Sequence, residues 1–326
     1  MTVSARPLKR WLATPTGWRL TRPIRRADCL VLTYHRIAAE GDPFPGLPVS
    51  VFREQMAWAK EHCRVIGPGD LLDGSAFERS DRIPLLVTFD DGYRDYVTLA
   101  YPVLKALGIR AINFLSTDFI DSGAPFWWDV LFAAVGASTV DGVAPAWADG
   151  RRFQFDPAGR AEFLRACKRR LKDIPEDLKI RELSDLQDLL RVDAAAIDHG
   201  RQTLTWDEAR ATMDVTTYGG HTHTHVIVSR VDEARLQQEV DTCTARLTAE
   251  TGHRPVTFAY PNGDMTAEAR AALTRAGYRL AFTMQEGFNT AATDSLALNR
   301  VAAPRTVAEL AWLAGGFARF APDVRS

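Results

Sequence analysis

Apolar segments alternate with segments of helical periodicity over most of the chain. Short runs, most of them continuously apolar, predict strands at 29–33, 84–89, 109–115, 214–218, 257–260 and 278–283. Apolar residues spaced three and four apart predict helices at 51–63, 96–107, 231–250 and 267–276. Ser50 is expected to cap the first helix, and Gly108 is expected to end the second. This alternation predicts an α/β fold with a parallel sheet covered on both faces, as in a barrel.

The rhythm changes between about 126 and 210. A Trp127-Trp128 pair and an alanine-rich run precede a polar, basic stretch of helical character. We interpret this part as a mostly helical insertion on the barrel, which forms either a lid or substrate wall, or only scaffolding. The predicted organisation is a basic arm at 1–27 and a barrel at 28–326 that carries the insertion.

Composition narrows the class of protein. The chain has 326 residues, of which 46% are hydrophobic and 25% charged, as in ordinary soluble globular proteins. Its formal net charge of -1 argues against a dedicated nucleic-acid-binding protein, which would carry a strong basic excess. The four cysteines form no CxxC pair, and no apolar run reaches the ~20 residues that span a bilayer. Because no segment before Cys29 resembles a signal peptide, we expect a cytoplasmic protein.

The arm at 1–27 contains seven basic residues and no acidic one, interleaved with Trp11, Trp18 and leucines. Basic residues with Trp and Leu can lie on an anionic membrane surface, so the arm predicts peripheral contact with the inner face of the membrane. Pro15, Gly17 and Pro23 interrupt any long helix, which favours the alternative of a solvated basic arm.

Two acidic residues, Asp90 and Asp91, follow directly after the predicted strand 84–89. Adjacent carboxylates repel each other unless a cation or a proton neutralises them. An Asp-Asp-Gly tripeptide alone is typical of a surface turn, but here an apolar strand fixes it on a rigid element. In a parallel barrel the reactive groups gather at the carboxyl ends of strands, which is where His35 is also expected.

Three of the seven histidines of the chain lie within five residues, at His221, His223 and His225. Histidine is the commonest protein ligand for metals of the zinc type. Residues four apart share one face of a helical turn, so His221 and His225 are predicted to reach one ion. His223 is expected to point away from it. A polar loop without metal is the alternative.

Taken together, the motifs TFDDGYRD (88–95), GGHTHTH (219–225) and FAYPNGD (258–264) resemble the polysaccharide deacetylase family, also called the NodB-homology domain or carbohydrate esterase family 4. The resemblance runs from about Cys29 to Val301, without the insertion. It implies a distorted (β/α)7 barrel.

The resemblance also implies a role for each motif residue. Asp90 stands at the position of the general base, and Asp91, His221 and His225 stand at the positions of the metal ligands. Such a site accepts one divalent ion, for which zinc is the first expectation and cobalt, nickel or iron are alternatives. Asn262 and Tyr260 are expected near the substrate and its oxyanion.

Two departures from the family pattern place the chain with its exopolysaccharide-type subgroup. Ala259 stands where many members have an arginine, and the late motif reads Leu298-Asn299-Arg300, without the usual histidine. In that subgroup the histidine of the early strand end is thought to supply the missing acid, which here implies His35. Arg300 is expected to take over the task of holding Asp90.

The function implied is a metal-dependent hydrolase that removes N-acetyl groups from an amino-sugar glycan or glycan precursor. The expected substrate is a cytoplasmic sugar precursor or a lipid-linked glycan. One alternative is an esterase that removes O-acetyl groups, since the same metal and base would serve. Another is a glycan-binding barrel without catalysis.

Overall fold

The computed structural model describes residues 28–192, 200 and 202–315. The predicted arm at 1–27 therefore lies outside the described residues. The strands are β1 (Leu30–Tyr34), β2 (Ile37–Ala38), β3 (Leu47–Pro48), β4 (Arg64–Val65), β5 (Pro84–Phe89), β6 (Ala111–Leu115), β7 (Gly142–Val143), β8 (Phe153–Gln154), β9 (Thr216–Gly220), β10 (Thr257–Ala259), β11 (Leu280–Phe282) and β12 (Val301–Ala302). The α-helices are α1 (Val49–His62), α2 (Pro68–Leu72), α3 (Tyr101–Leu107), α4 (Thr117–Ser122), α5 (Trp127–Ala137), α6 (Pro157–Asp173), α7 (Glu176–Leu190), α8 (Trp206–Ala211), α9 (Glu233–Thr251), α10 (Ala267–Ala276) and α11 (Val307–Ala314).

One parallel sheet organises the chain, with strand order β11-β10-β9-β6-β5-β1-β12 and β4 paired to the start of β5. Leu30 lies opposite Leu85 and Tyr34 opposite Phe89, so β1 and β5 end at the same level. The sheet curls, and Phe282 at the end of β11 bridges to Leu298, just before β12. The predicted α/β fold, a distorted (β/α)7 barrel, is confirmed.

Side chains alternate between the two faces of the central strands. Leu30 and Leu32 of β1 belong to one buried cluster with Phe52 of α1, whereas Val31 of the same strand belongs to another with Phe114 of β6. Both faces are therefore buried, which is why these strands are continuously apolar in sequence. In the described residues no helix is long and apolar enough to cross a membrane.

Some predicted boundaries are wrong, for local reasons. Ser50 does not cap α1, because the chain turns into the helix at Pro48 directly from β3 and the helix begins at Val49. The strand predicted at 214–218 lies two residues later, since Gly219 and Gly220 are strand residues that neighbouring side chains crowd. The helix predicted at 96–107 begins with a π-helical turn and ends, as predicted, at Gly108.

The region predicted as an insertion contains α5, α6, α7 and the small hairpin of β7 and β8. These elements share a buried cluster of their own, which includes Leu131, Phe163 and Leu186. Arg170 of α6 pairs with Glu182 of α7, with 2.6 Å between its Nη2 and the Oε1 of Glu182. The two long helices therefore stand together beside the barrel.

Candidate active site

A cavity of about 400 Å³ opens at the carboxyl end of the barrel strands. It lies within the size range of small-molecule sites. Every site residue predicted from the sequence lines this cavity except Arg300. It is also lined by Trp127, Trp128 and three lysines from the insertion helices.

Asp91, His221 and His225 present one donor atom each to a common point. The Oδ1 atom of Asp91 lies 3.5 Å from Nε2 of His221 and 3.3 Å from Nε2 of His225. Ligands held at ~2.1 Å from a zinc-like ion in tetrahedral geometry stand about 3.4 Å from one another. The spacing, together with the chemistry of one carboxylate and two imidazoles, therefore fits a divalent metal ion.

The tautomer of His221 suits ligation. Its Nδ1 lies 2.7 Å from the carbonyl oxygen of Ala259, which can only accept, so Nδ1 carries the proton and Nε2 is left with its lone pair. Burial lowers the pKa of His225 against the opposing effect of Asp91, so its ring is held neutral, as a metal ligand must be.

The two histidines converge by a route that the sequence argument misjudged. They do not lie on a helical turn, because β9 ends at Gly220 and a loop follows. Thr222 and His225 adopt φ of 62° and 58°, in the left-handed region that side chains rarely enter, and this folds the loop back on itself. Gly219 and Gly220 let the loop start deep in the barrel, since a Cβ at Gly219 would meet Phe114 at 2.6 Å.

A buried carboxylate holds this loop. Glu239 of α9 is 2% exposed and accepts hydrogen bonds from the backbone N–H groups of His223 and Thr224, at 2.9 and 2.7 Å. It also accepts one from the Thr224 hydroxyl at 2.7 Å. His223 points away from the donor atoms of Asp91, His221 and His225, with its Nδ1 2.8 Å from Oγ1 of Thr117.

Asp90 lies beside the ligand cluster and is held by Arg300. Two parallel bonds of 2.7 and 2.8 Å join the guanidinium to both carboxylate oxygens. Arg300 is fully buried and rises through the barrel interior, where it also donates to Thr283 O and to Thr33 Oγ1. Burial alone would raise the pKa of Asp90, but the Arg300 charge and its hydrogen bonds bring the pKa below its usual value.

His35 faces Asp90 across the cavity. Its Nε2 lies 4.0 Å from Oδ2 of Asp90, and its side chain is 50% exposed. Asp95 holds the segment that follows His35, because it accepts hydrogen bonds from the Arg36 side chain (Nε) at 3.1 Å and from the backbone N–H of Ile37 at 3.0 Å. Burial raises the pKa of Asp95 to about 6 although both donors oppose it.

The motif FAYPNGD (258–264) offers fewer free polar groups to the cavity than its residue types suggest. The Tyr260 hydroxyl donates to the carbonyl oxygen of Leu296 at 2.9 Å and is buried there, so it is not free to bind a substrate. Asn262 has φ of 61°, and its side-chain oxygen accepts from Lys172 at 2.8 Å. The backbone of Asn262 thus remains the part of this motif that can meet a substrate oxygen.

An aromatic wall from the insertion closes the other side. The Trp128 ring lies edge-on to His225, with 4.8 Å between centroids, and its Nε1 donates to the Tyr93 hydroxyl at 2.6 Å. Tyr93 in turn donates to Asp129 at 2.8 Å. Burial raises the pKa of Asp129 to about 6. This chain of hydrogen bonds fixes Trp128 against the cluster.

Sequence reasoning missed several of these residues. Glu239 holds the backbone of another segment, and nothing in its local pattern marks it. Asp95 closes the motif TFDDGYRD (88–95), but the motif did not show that it binds Arg36 and Ile37. The lysines of the cavity wall lie within a basic helical stretch that could equally be solvated surface. The Trp127-Trp128 pair was the visible signal that the insertion meets the site.

A sequence model of the family described as polysaccharide deacetylase matches residues 78–143 and 194–281 of the chain. The unmatched residues between them, 144–193, fall inside the predicted insertion. No curated protein matches the chain.

Solved structures with the same fold include three deacetylases. The Streptococcus pyogenes deacetylase PplD, solved with acetate, has 18% identity and a TM-score of 0.59, over 88% of this chain and 97% of its own. IcaB from Ammonifex degensii has 18% identity and a TM-score of 0.58, over 88% and 97%. A polysaccharide deacetylase from Bacillus cereus has 16% identity and a TM-score of 0.56, over 88% and 69%. At such identities the likeness shows the fold.

Proposed function

This chain belongs to the polysaccharide deacetylase family, and we propose that it is a metal-dependent hydrolase that removes N-acetyl groups from an amino-sugar glycan or glycan precursor. The observation that carries the proposal is the meeting of two sets of groups in one cavity. Asp91, His221 and His225 form a donor cluster, and Asp90 lies beside it with its charge held by Arg300. A binding protein without catalysis has no use for both sets.

The donor cluster would hold one divalent ion, with zinc as the first expectation and cobalt, nickel or iron as alternatives. When bound, such an ion supplies Lewis acidity, which lowers the pKa of water and polarises the acetyl carbonyl. Asp90 takes the proton of the attacking water, because the Arg300 guanidinium keeps its carboxylate ionised at neutral pH. Its two oxygens are already oriented by Arg300, so little reorganisation is needed.

The departing group decides whether an acid is required. An amine leaves only when its nitrogen is protonated, whereas an alkoxide leaves more readily. His35 lines the cavity, and its Nε2 lies 4.0 Å from Oδ2 of Asp90, so we propose it as the group that protonates the departing amine. Its presence favours amide over ester hydrolysis. The backbone N–H at Asn262 is the group we propose for the oxyanion.

The place of action follows from this proposal together with the sequence. We propose a cytoplasmic sugar precursor or a lipid-linked glycan as substrate, with the basic arm at 1–27 resting on the inner face of the membrane. The exopolysaccharide-type subgroup is supported by Arg300 and His35, which occupy the positions that its altered motifs require.

The test is acetate release from a panel of N- and O-acetylated glycans, with and without a chelator. We expect release from N-acetylated sugars, loss of activity with chelator, and recovery when zinc or cobalt is added back. Release from O-acetyl substrates alone would replace the proposal with the esterase alternative. Activity that a chelator does not change would contradict the metal-dependent mechanism.

A further inference from the structure

Three lysines of the insertion helices project into the wall of the active-site cavity. Lys168 and Lys172 belong to α6 and Lys179 to α7. Lys168 and Lys172 are four residues apart, so they share one face of their helix. Like charges at this spacing are unfavourable for the helix in the absence of an anion between them.

Few carboxylates of the protein lie close enough to balance the positive charges of the three lysines. Lys179 is 3% exposed and pairs with Glu176, with 2.6 Å between Nζ and Oε2. Among the described residues, no carboxylate lies within ion-pair distance of Lys168 or Lys172. Lys172 donates a hydrogen bond to the neutral side-chain oxygen of Asn262 at 2.8 Å. Partial burial and the repulsion between neighbouring lysines lower the pKa of both, in spite of carboxylates further away.

The two carboxylates that line the cavity, Asp90 and Asp91, are not available to balance the lysines. Asp90 is neutralised by Arg300 through two hydrogen bonds. Asp91 belongs to the donor cluster and would face a divalent cation. With the ion in place, the cavity therefore carries a marked positive excess on the side of α6. A neutral glycan would offer neither Lys168 nor Lys172 an anion.

The kind of anion can be inferred from the kind of cation. Arginine matches planar carboxylates through paired hydrogen bonds, whereas lysine acts as a mobile point charge and is a common phosphate ligand. In the described part of the chain, the cations that line the cavity are lysines, and no arginine lines it. This composition favours a phosphoryl group, whose oxygens can meet several ammonium groups at once.

We propose that the substrate is an N-acetylated amino sugar that carries a phosphoryl group, monoester or diphosphate, which Lys168 and Lys172 bind while the acetyl group faces the metal site. This inference rests on the proposed function and makes its substrate class specific. It also gives the insertion a role as a substrate wall.

The experiment compares kcat/KM for N-acetylglucosamine 1-phosphate, a nucleoside diphosphate N-acetylglucosamine, a polyisoprenyl diphosphate N-acetylglucosamine in detergent, and the neutral methyl glycoside. Each is measured with the metal-loaded wild type and with Lys168→Gln/Lys172→Gln. Hydrogen bonds to charged groups of this strength are worth roughly 10–100-fold. We expect the double variant to lose at least about tenfold of the preference for phosphorylated over neutral sugar, and added salt to lower that preference only in the wild type.

Arg169→Gln is the matched control, because Arg169 is an exposed cation of the same helix that does not line the cavity. It should keep the wild-type preference. Comparing kcat/KM for the nucleoside diphosphate sugar with that for the polyisoprenyl diphosphate sugar shows whether the phosphoryl group belongs to a soluble or a lipid carrier. A higher kcat/KM for either of them than for the neutral glycoside supports the proposal. Equal rates on phosphorylated and neutral sugars would overturn it. So would a lysine-dependent preference for an N-acetylglucosamine–glucuronic acid disaccharide alone, since that points to a carboxylate.

Calorimetric titration of inorganic phosphate and of the sugar phosphate into the same metal-loaded proteins separates this inference from the proposed function. Phosphate binding that weakens in the double variant, without acetate release from any substrate, would remove the deacetylase function and leave the phosphate site standing. Acetate release without lysine-dependent phosphate binding would leave the function standing and remove the phosphate site.

Discussion

Replacing Arg300 by methionine removes the cation that faces Asp90 and leaves an unbranched side chain in the barrel interior. Arg300 is 0% exposed and Asp90 is 3% exposed, so water from the cavity can replace the guanidinium only in part. The substitution also removes the donor to Thr283 O. Arg300→Met therefore leaves a buried, ionised carboxylate without its partner.

The cost can be bounded from the geometry. Removing one partner of a buried, bidentate pair destabilises a protein by about 3–5 kcal/mol, because the remaining charge is stranded. Replacing both partners costs much less, since neither charge is then left alone. Asp90→Asn/Arg300→Met should therefore be more stable than the sum of the single changes predicts. We expect a coupling of about 1–3 kcal/mol.

The sign of the pH dependence should change. In the wild type the pKa of Asp90 is lowered, so its contribution to stability is present above the unfolded pKa and is lost as pH falls through the folded pKa. Without Arg300, burial becomes the dominant influence and the pKa of Asp90 rises above the unfolded value. Lower pH then protonates the carboxylate and removes the cost of its buried charge. The deficit in free energy of unfolding relative to wild type therefore shrinks between pH 7 and pH 4.5.

Urea unfolding of the chelator-treated proteins at several pH values measures this deficit without the contribution of metal binding. The acidic limb of kcat/KM, measured with metal, should move to higher pH in Arg300→Met. Arg305→Met is the control, because Arg305 is an exposed arginine close by in the chain. A deficit under about 1 kcal/mol at pH 7, or one that does not change with pH, would refute the reasoning.

Three further predictions concern the other groups of the site. Asp91→Ala should lose bound metal, which atomic absorption would show, whereas Asp90→Asn should keep it and lose turnover by roughly 10²–10⁴-fold; equal metal loss in both would contradict the separate roles. His35→Ala should keep the metal and slow amide substrates far more than activated esters, and equal slowing of both would argue against an acid role. Glu239→Gln should weaken metal affinity by roughly 10–100-fold through the loop it holds, as measured by competition with a chelator, while Glu233→Gln on the exposed part of the same helix should not.

The sequence predicted the barrel because its central strands are buried on both faces and are therefore apolar throughout. It did not predict where β9 begins and ends, because two consecutive glycines, Gly219 and Gly220, usually indicate a turn. In the structure Phe114 and Tyr278, which are distant in sequence, leave no room for a Cβ at these two positions. Strand boundaries of this kind depend on tertiary packing that no local window contains.

The cluster of Asp91, His221 and His225 was predicted from residue type and spacing, but the structure brings the two histidines together for a different reason. His221 and His225 meet because two residues of the loop adopt left-handed backbone conformations, not because a helical turn aligns them. The role of Arg300 could be predicted only from the family resemblance, because no pattern around it suggests a buried cation. Lys168 and Lys172 could not be singled out, because which face of a basic helix meets the cavity is decided by how α5, α6 and α7 pack together.

Backbone strain is concentrated where the chemistry is proposed. Six non-glycine residues of the described chain have positive φ. Asp91, His225 and Asn262 line the cavity, and Thr222 lies in the loop that carries His225. Such conformations persist only when surrounding contacts enforce them. In the loop 221–225 these contacts include the hydrogen bonds that the buried carboxylate of Glu239 accepts from the N–H groups of His223 and Thr224. The donor cluster is thus positioned by the fold itself. Positions that bear no donor atom, such as the glycines of β9, therefore belong to the site as much as Asp91, His221 and His225 do.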